Sequence, residues 1–189
     1  MSKRIVVGIS GSSAPIYGIR LLEVLSKIST VETHLVLSQS AELTIRLETR
    51  GWTRARVEKL ADHAYASSNL AASISSGSFI THGMIVIPCS MKTLSTIAHS
   101  NGDDLLTRAA DVTLKERRPL ILVPRETPLH LGHLRNMVSV TEMGGIILPP
   151  VPAFYHRPKT IDDLINHTIG KVLDLLGIGH RLFRRWDGK

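Results

Sequence analysis

Hydroxyl-rich turns that follow short apolar runs are the stretches of this chain best suited to chemistry. Ile5, Val6 and Val7 lead into Gly8-Ile9-Ser10-Gly11-Ser12-Ser13, and Pro15 then opens a helical spacing of Ile19, Leu22, Leu25 and Ile28. Strand, glycine-serine turn and helix together make an anion cradle. Free N–H groups at the helix start point outward, the helix dipole favours a phosphate there, and small side chains let it approach the backbone. A second turn of the same kind, Ser90-Met91-Lys92-Thr93, follows the apolar run 84–87. The run 120–123 leads into Arg125-Glu126, and a cation at that position would complete a phosphate site. In an open α/β sheet, ligands bind outside the carboxyl ends of the strands, where the strand order reverses. The turns are therefore expected to converge on one crevice. Taken singly, each fits a purely structural turn equally well.

The spacing of the first turn is neither G-x-G-x-x-G nor G-x-x-x-x-G-K-[ST]. The next apolar run, 34–37, ends in Ser38 rather than in the carboxylate that a dinucleotide site uses to hold a ribose diol. A hydroxyl there suits FMN better than NAD.

The elements that must position these turns alternate strand and helix about five times, which predicts an α/β fold: a doubly wound, mostly parallel sheet in a Rossmann-like or flavodoxin-like three-layer sandwich. Helices are expected over 53–63 with Thr53 as cap, over 104–116 and over 130–143, with a fifth strand at 145–148. Residues 64–83, rich in Ser, Ala and Gly, read as a loop with a short strand. Arg108, Asp111 and Lys115 share a helix face, ordinarily a salt-bridged surface. Residues 149–155 form an extended proline-rich segment that fixes Phe154 and Tyr155. Thr160 caps a last helix with Asp162 and Asp163 in its first turn. Ile161, Leu164, Ile165, Ile169, Val172 and Leu176 mark its buried side, and Lys171 falls off that stripe. The whole chain, 1–189, reads as one domain. Its basic tail, about 177–189, is expected to pack at a subunit interface or over the active site.

With 43% hydrophobic and 21% charged residues the chain is globular, and 189 residues are enough for a substantial core. One cysteine, Cys89, excludes an intrachain disulfide framework and an all-cysteine metal site. A net charge of +7 favours anionic partners, but aromatics at 4% leave few stacking platforms, so a small anion is the sharper expectation than nucleic acid. No stretch has the character of a signal peptide or is apolar enough to span a bilayer, and a cytoplasmic protein is expected.

Four segments then carry a resemblance over nearly the full length: Ile87-Pro88-Cys89-Ser90-Met91-Lys92-Thr93-Leu94; Arg108-Ala109-Ala110-Asp111-Val112 with Leu114-Lys115-Glu116-Arg117-Arg118-Pro119-Leu120; Leu122-Val123-Pro124-Arg125-Glu126; and Pro152-Ala153-Phe154-Tyr155-His156. The chain resembles the flavin prenyltransferase family of UbiX-type enzymes, once described as hydroxybenzoate decarboxylases. The resemblance implies an FMN-binding domain that joins a dimethylallyl group from dimethylallyl phosphate to N5 and C6 of reduced FMN without a metal. It further implies transfer of prenylated FMN to a UbiD-type decarboxylase of ubiquinone or aromatic-acid metabolism, and a homo-oligomer, commonly a dodecamer, with active sites at subunit interfaces. By the same resemblance Gly11, Ser12, Ser13, Ser38, Ser90, Met91, Lys92, Thr93 and Arg125 hold the flavin. Tyr155 and Lys171 bind the prenyl phosphate, with Arg108, Lys115 and Glu126 near it, and Ser13 and Glu48 are catalytic, Glu48 facing the flavin. The family usually reads Gly-Ala-Ser-Gly-Ala in its first turn, where this chain has Gly11-Ser12-Ser13-Ala14-Pro15. If that position needs positive φ, Ala14 carries strain.

The residue types suit the reaction. Breaking an allylic C–O bond puts cationic character on carbon and charge on the departing phosphate, which lysine, arginine and tyrosine stabilise. Ring closure requires proton movement, a task for a carboxylate or for the phosphate itself. Two rivals use the same turns: an FMN-dependent decarboxylase, and a non-catalytic FMN-binding partner of a decarboxylase.

Overall fold

A computed structural model describes residues 2–188. Its sheet contains β1 (Lys3–Ile9), β2 (Val31–Leu37), β3 (His63–Ala66), β4 (Gly83–Cys89), β5 (Leu120–Pro124) and β6 (Ile146–Ile147). All pair in parallel, in the order β3-β2-β1-β4-β5-β6. The chain winds outward from β1 in one direction and then, from β4, in the other, so the order reverses between β1 and β4. Both strands are short apolar runs because helices cover the two faces of the sheet.

On one face, α1 (Ile16–Leu25), α2 (Gln39–Glu48), α3 (Arg54–Glu58) and α7 (Ile161–Leu175) pack on Ile5, Val7, Ile9 and Leu35. On the other, α4 (Met91–Ala98), α5 (Leu105–Lys115) and α6 (Leu131–Glu142) pack on Val6, Met84, Val86 and Leu122. Gly18 lets α1 lie directly on the sheet, since a Cβ there would stand 2.4 Å from the Ile87 carbonyl oxygen. This is the three-layer α/β sandwich expected from the sequence.

Four details correct the expectation. The helix predicted over 53–63 ends at Glu58. The Asp62 carboxylate accepts from the Thr33 N–H (2.7 Å) and hydroxyl (2.8 Å), which ties the chain to the rim of β2 and starts β3 at His63. Asp104 is the N-cap of α5 rather than its first residue, in a reciprocal box with Thr107. The strand expected at 145–148 shrinks to Ile146–Ile147, because Gly145 still bonds back to α6 and Pro149 and Pro150 offer no donors. Ile161, placed on the buried stripe of α7, is 77% exposed: it opens the helix, one turn before the stripe meets the core at Ile165.

Among the described residues no helix is long and apolar enough to cross a membrane.

Candidate active site

The two turns meet through Ser10. Its hydroxyl, fully buried at the end of β1, donates to the Pro88 carbonyl (3.0 Å) and accepts from the Ser90 N–H (2.7 Å). Ser12 extends the same seam to β5, its hydroxyl donating to the Arg125 carbonyl at 2.8 Å. The carboxyl ends of β1, β4 and β5 are thus joined by hydroxyl-to-backbone bonds across the point where the strand order reverses.

A cavity of about 580 Å³ opens there, walled by Gly11, Ser38, Ser40, Ser67, Ser68, Ser90, Lys92, Thr93, Asp104 and Thr107. Three helices begin on it. Ser38 caps α2 by accepting from Ala41 N–H, Ser90 caps α4 from Thr93 N–H, and Asp104 caps α5 from Thr107 N–H. Each start directs partial positive charge toward the cavity, and Lys92 adds a full one. Gly11 permits the close approach of the first turn to α2, since a Cβ there would lie 2.2 Å from the Ser40 Cβ.

Beside the cavity, the first turn holds a carboxylate. Glu48, near the end of α2, accepts from the Ser13 hydroxyl (2.9 Å) and from the Ala14 N–H (2.7 Å) through the same oxygen, Oε2. Ala14 has φ +68°, the left-handed conformation expected of the glycine it replaces. Arg125, half-buried after β5, has a buried Nε that bonds to no protein group. An orphaned guanidinium nitrogen, a hydroxyl-lined cavity and converging helix starts fit an anionic phosphate with a polar heterocycle. Met91 is half-buried at the first position of α4, and Glu126 is exposed, its carboxylate accepting from Thr127 N–H at 3.0 Å.

The remaining expected ligands do not line this cavity within one protomer. Arg108 follows Thr107 of the wall, but its guanidinium donates to the Ser75 carbonyl (3.2 Å) and to Asp111 (2.8 Å). Lys115 ends α5, about 16 Å along the axis from Asp104, and pairs with Glu116. Tyr155 and Lys171 belong to a second group on the α7 side. The Tyr155 hydroxyl meets His167 Nε2 at 2.8 Å, and Lys171, one turn further along α7, faces solvent 4.0 Å from Asp174. Burial lowers the pKa of His167, with His156 and Lys171 adding to the effect. The tail folds back onto this group. Arg185 pairs with Asp174 at 2.6 Å, Trp186 lies edge-on to Tyr155, and a cavity of about 420 Å³ remains between tail and loop.

Sequence reasoning missed Ser10, which reads as one more small residue of the turn, and the wall from Ser67, Ser68, Asp104 and Thr107. The signal for Ser10 was its place at the last residue before the glycine. Cys89 is buried under the second turn, and burial drives its thiol pKa up, so it remains a neutral thiol.

A parallel sheet with a hydroxyl-lined crevice at its switch point defines a nucleotide- or flavin-phosphate-binding α/β protein. The family model described as Flavoprotein matches residues 1–173. The flavin prenyltransferase UbiX of Escherichia coli K12 is 58% identical over 188 residues, 98% of this chain and 99% of that one. A crystal structure of AnUbiX (PadA1) in complex with FMN and dimethylallyl pyrophosphate superposes with a TM-score of 0.97 at 49% identity, covering 100% of both chains. A dodecameric FMN-dependent UbiX-like decarboxylase from E. coli O157:H7 gives 0.95 at 49% identity, covering 98% of this chain and 100% of that one. The chain belongs to the UbiX-type flavin prenyltransferases of the flavoprotein family.

Proposed function

We propose that this protein is a flavin prenyltransferase that joins the dimethylallyl group of a dimethylallyl phosphate to N5 and C6 of reduced FMN. The observation that carries the reading is the crevice between β1 and β4, with its hydroxyl walls and Lys92, in a chain so close to proteins of that name; the orphaned Arg125 Nε, which does not line that cavity, lies after the neighbouring β5. Reduced FMN supplies the nucleophile, and the allyl phosphate supplies the carbon unit and the leaving phosphate.

The residues of this chain then divide the work. Ser38, Ser90, Thr93 and the backbone of Gly11-Ser12-Ser13 orient the flavin, and Arg125 meets its polar edge. Glu48 Oε2, already hydrogen-bonded to Ser13 Oγ, is placed to receive a proton through that hydroxyl. Tyr155 and Lys171, with Arg108, Lys115 and Glu126, hold the phosphate and stabilise its charge as the C–O bond breaks. Because those groups lie away from the crevice in one protomer, the reading includes a homo-oligomer in which neighbouring copies complete each site. Support comes from Leu47, Phe154, Ile161 and Trp186, all more than 60% exposed, and from the dodecameric relative. The prenylated flavin is then passed to a UbiD-type decarboxylase. A single buried, unpaired cysteine supports a reducing compartment such as the cytoplasm.

The test is anaerobic incubation with reduced FMN and dimethylallyl phosphate, followed by mass measurement of the extracted flavin. A gain of one C5 unit is expected. Unchanged flavin, or release of carbon dioxide from a carboxylate without a prenyl donor, would favour the decarboxylase reading instead.

A further inference from the structure

At the amino ends of β2 and β3, away from the crevice, the strand pattern gathers three metal-ligand side chains. Glu32 and His34 stand two residues apart on β2 and so share one face of the sheet. His63 is the register partner of His34 on β3. One donor atom from each falls within 4.8 Å of the other two. Glu32 Oε1 is hydrogen-bonded to His63 Nε2 at 3.2 Å and lies 3.3 Å from His34 Nε2. Zinc bonds to imidazole and carboxylate at about 2.0–2.1 Å place neighbouring tetrahedral ligand atoms about 3.3 Å apart, which these two separations match.

His34 gives an independent indication. Its side chain is 2% exposed, yet its Nε2 is buried without a hydrogen-bond partner. Its approach to Glu32 Oε1 is close but not aligned as a hydrogen bond, so Nε2 of a nearly fully buried ring is left to another partner. The other ring nitrogen is accounted for: Nδ1 lies 2.9 Å from the Tyr65 hydroxyl, which in turn meets Ser73 Oγ at 3.3 Å. In the tautomer whose Nδ1–H donates to Tyr65, the Nε2 lone pair is free for an ion, and the outer hydrogen bond fixes the ring. Glu32 is oriented likewise, its second oxygen accepting from Arg4 Nε at 3.2 Å, while the Arg4 guanidinium lies over the Phe79 ring. That positive charge opposes a cation, and it is engaged by the oxygen the ion would not use. His63, 51% exposed, leaves the fourth position open to solvent and provides the way in.

We propose that Glu32 Oε1, His34 Nε2 and His63 Nε2 bind a divalent transition-metal ion, with water as fourth ligand, and that zinc suits the site. Two imidazoles and a carboxylate are a borderline donor set that zinc accepts in tetrahedral geometry. The ion clamps β3, a four-residue edge strand, to β2. It lies about 13 Å of strand away from Ser38, so it serves structure and not the transfer reaction.

The experiment uses tag-free, full-length protein stripped with a chelator and dialysed. Calorimetric titration with zinc chloride is expected to show one ion per chain and a rise in melting temperature. His63→Ala and Glu32→Gln are each expected to weaken binding at least tenfold and to abolish the thermal gain. Cobalt(II) should give the intense visible bands of a tetrahedral site in the wild type and lose them in His63→Ala. His63 is half exposed, so that variant is expected to fold, and its circular dichroism and flavin retention verify this. Absence of saturable zinc binding below millimolar concentration overturns the proposal. Equal binding by His63→Ala also overturns it, since the ion would then lie elsewhere, for example at the close, tilted His130–His133 pair.

Discussion

Replacing Ala14 by glycine should stabilise this protein, although glycine ordinarily does the reverse. Ala14 sits at φ +68°, and both its backbone groups are engaged: its N–H with Glu48 Oε2 at 2.7 Å and its carbonyl with Tyr17 N–H at 3.2 Å. The conformation is therefore fixed from both sides. A left-handed conformation costs a residue with a Cβ about 1–2 kcal/mol, and Ala14→Gly removes that cost. Against it stands the greater freedom of glycine in the unfolded chain, about 0.4–1 kcal/mol. The net gain is about 0.5–1 kcal/mol, equivalent for a chain of this size to a rise of about 1–4 °C in melting temperature. Wild type and variant should be compared at the same protomer concentration, by thermal melts and by urea midpoints with unchanged slope. A second arm isolates the cause. Glu48→Ala, which releases the Ala14 N–H, should cost more in the Ala14→Gly background, because in the wild type relaxation of the strained turn offsets part of the lost bond. A lower melting temperature for Ala14→Gly, or a smaller cost of Glu48→Ala in the glycine background than in the wild type, would refute the strain argument.

The other expectations follow from the same contacts. Glu48→Gln keeps an oxygen for the Ala14 N–H but cannot ionise, so it should retain flavin in equilibrium dialysis and lose product formation; wild-type turnover would leave Glu48 as a brace for the turn and nothing more. Lys171→Ala should keep FMN and lose about 2–4 kcal/mol of transition-state stabilisation, roughly 30- to 10³-fold in kcat; loss of flavin with intact prenyl phosphate binding would assign it to the other ligand. The pKa of His167 is lowered chiefly by burial, so the unfolded chain binds its proton more readily than the folded one does. Stability from this residue is then full above about pH 6.5 and lost as pH falls through the lower folded value; urea midpoints should decline on acidification, and less steeply in His167→Gln.

What the sequence disclosed of the fold and site was what local chemistry encodes. Four short apolar runs, each ending in Ser, Thr or a charged pair, located β1, β2, β4 and β5 and hence the crevice. Parallel strands buried on both faces cannot be mistaken for amphipathic elements. The caps Thr53 and Thr160 were legible because a side-chain oxygen at a helix start leaves a recognisable residue type. What was not legible depends on contacts distant along the chain. Nothing near residue 62 announces that Asp62 will bond to Thr33, yet that bond ties the chain to β2 just where β3 begins at His63. Without β3 there is no register to bring His63 opposite His34. Ser67 and Ser68 likewise reach the crevice wall only because Leu105 N–H bonds to the Ser67 carbonyl and ties that loop to the start of α5.

The division between crevice and remote ligands has a physical basis. A flavin phosphate is recognised by backbone amides and hydroxyls at helix starts, groups that one protomer can hold rigidly through Ser10, Ser12 and Ser90. Stabilising charge on a departing phosphate instead needs full cations, and several cations packed into the same wall would repel one another before substrate arrived. Here Arg108 is neutralised by Asp111 within α5, Lys115 by Glu116 at its end, and Arg185 of the tail by Asp174 of α7. Lys171 stands apart from them, exposed and 4.0 Å from an Asp174 carboxylate that Arg185 already holds more closely. Of these cations it is the one freest to meet a phosphate, and Tyr155 lies one helical turn away, against His167. On the proposed reading, in which neighbouring copies complete each site, distributing the cations over separate surfaces, each balanced until assembly, would let one chain build an anion site without the self-repulsion of a preformed basic cluster.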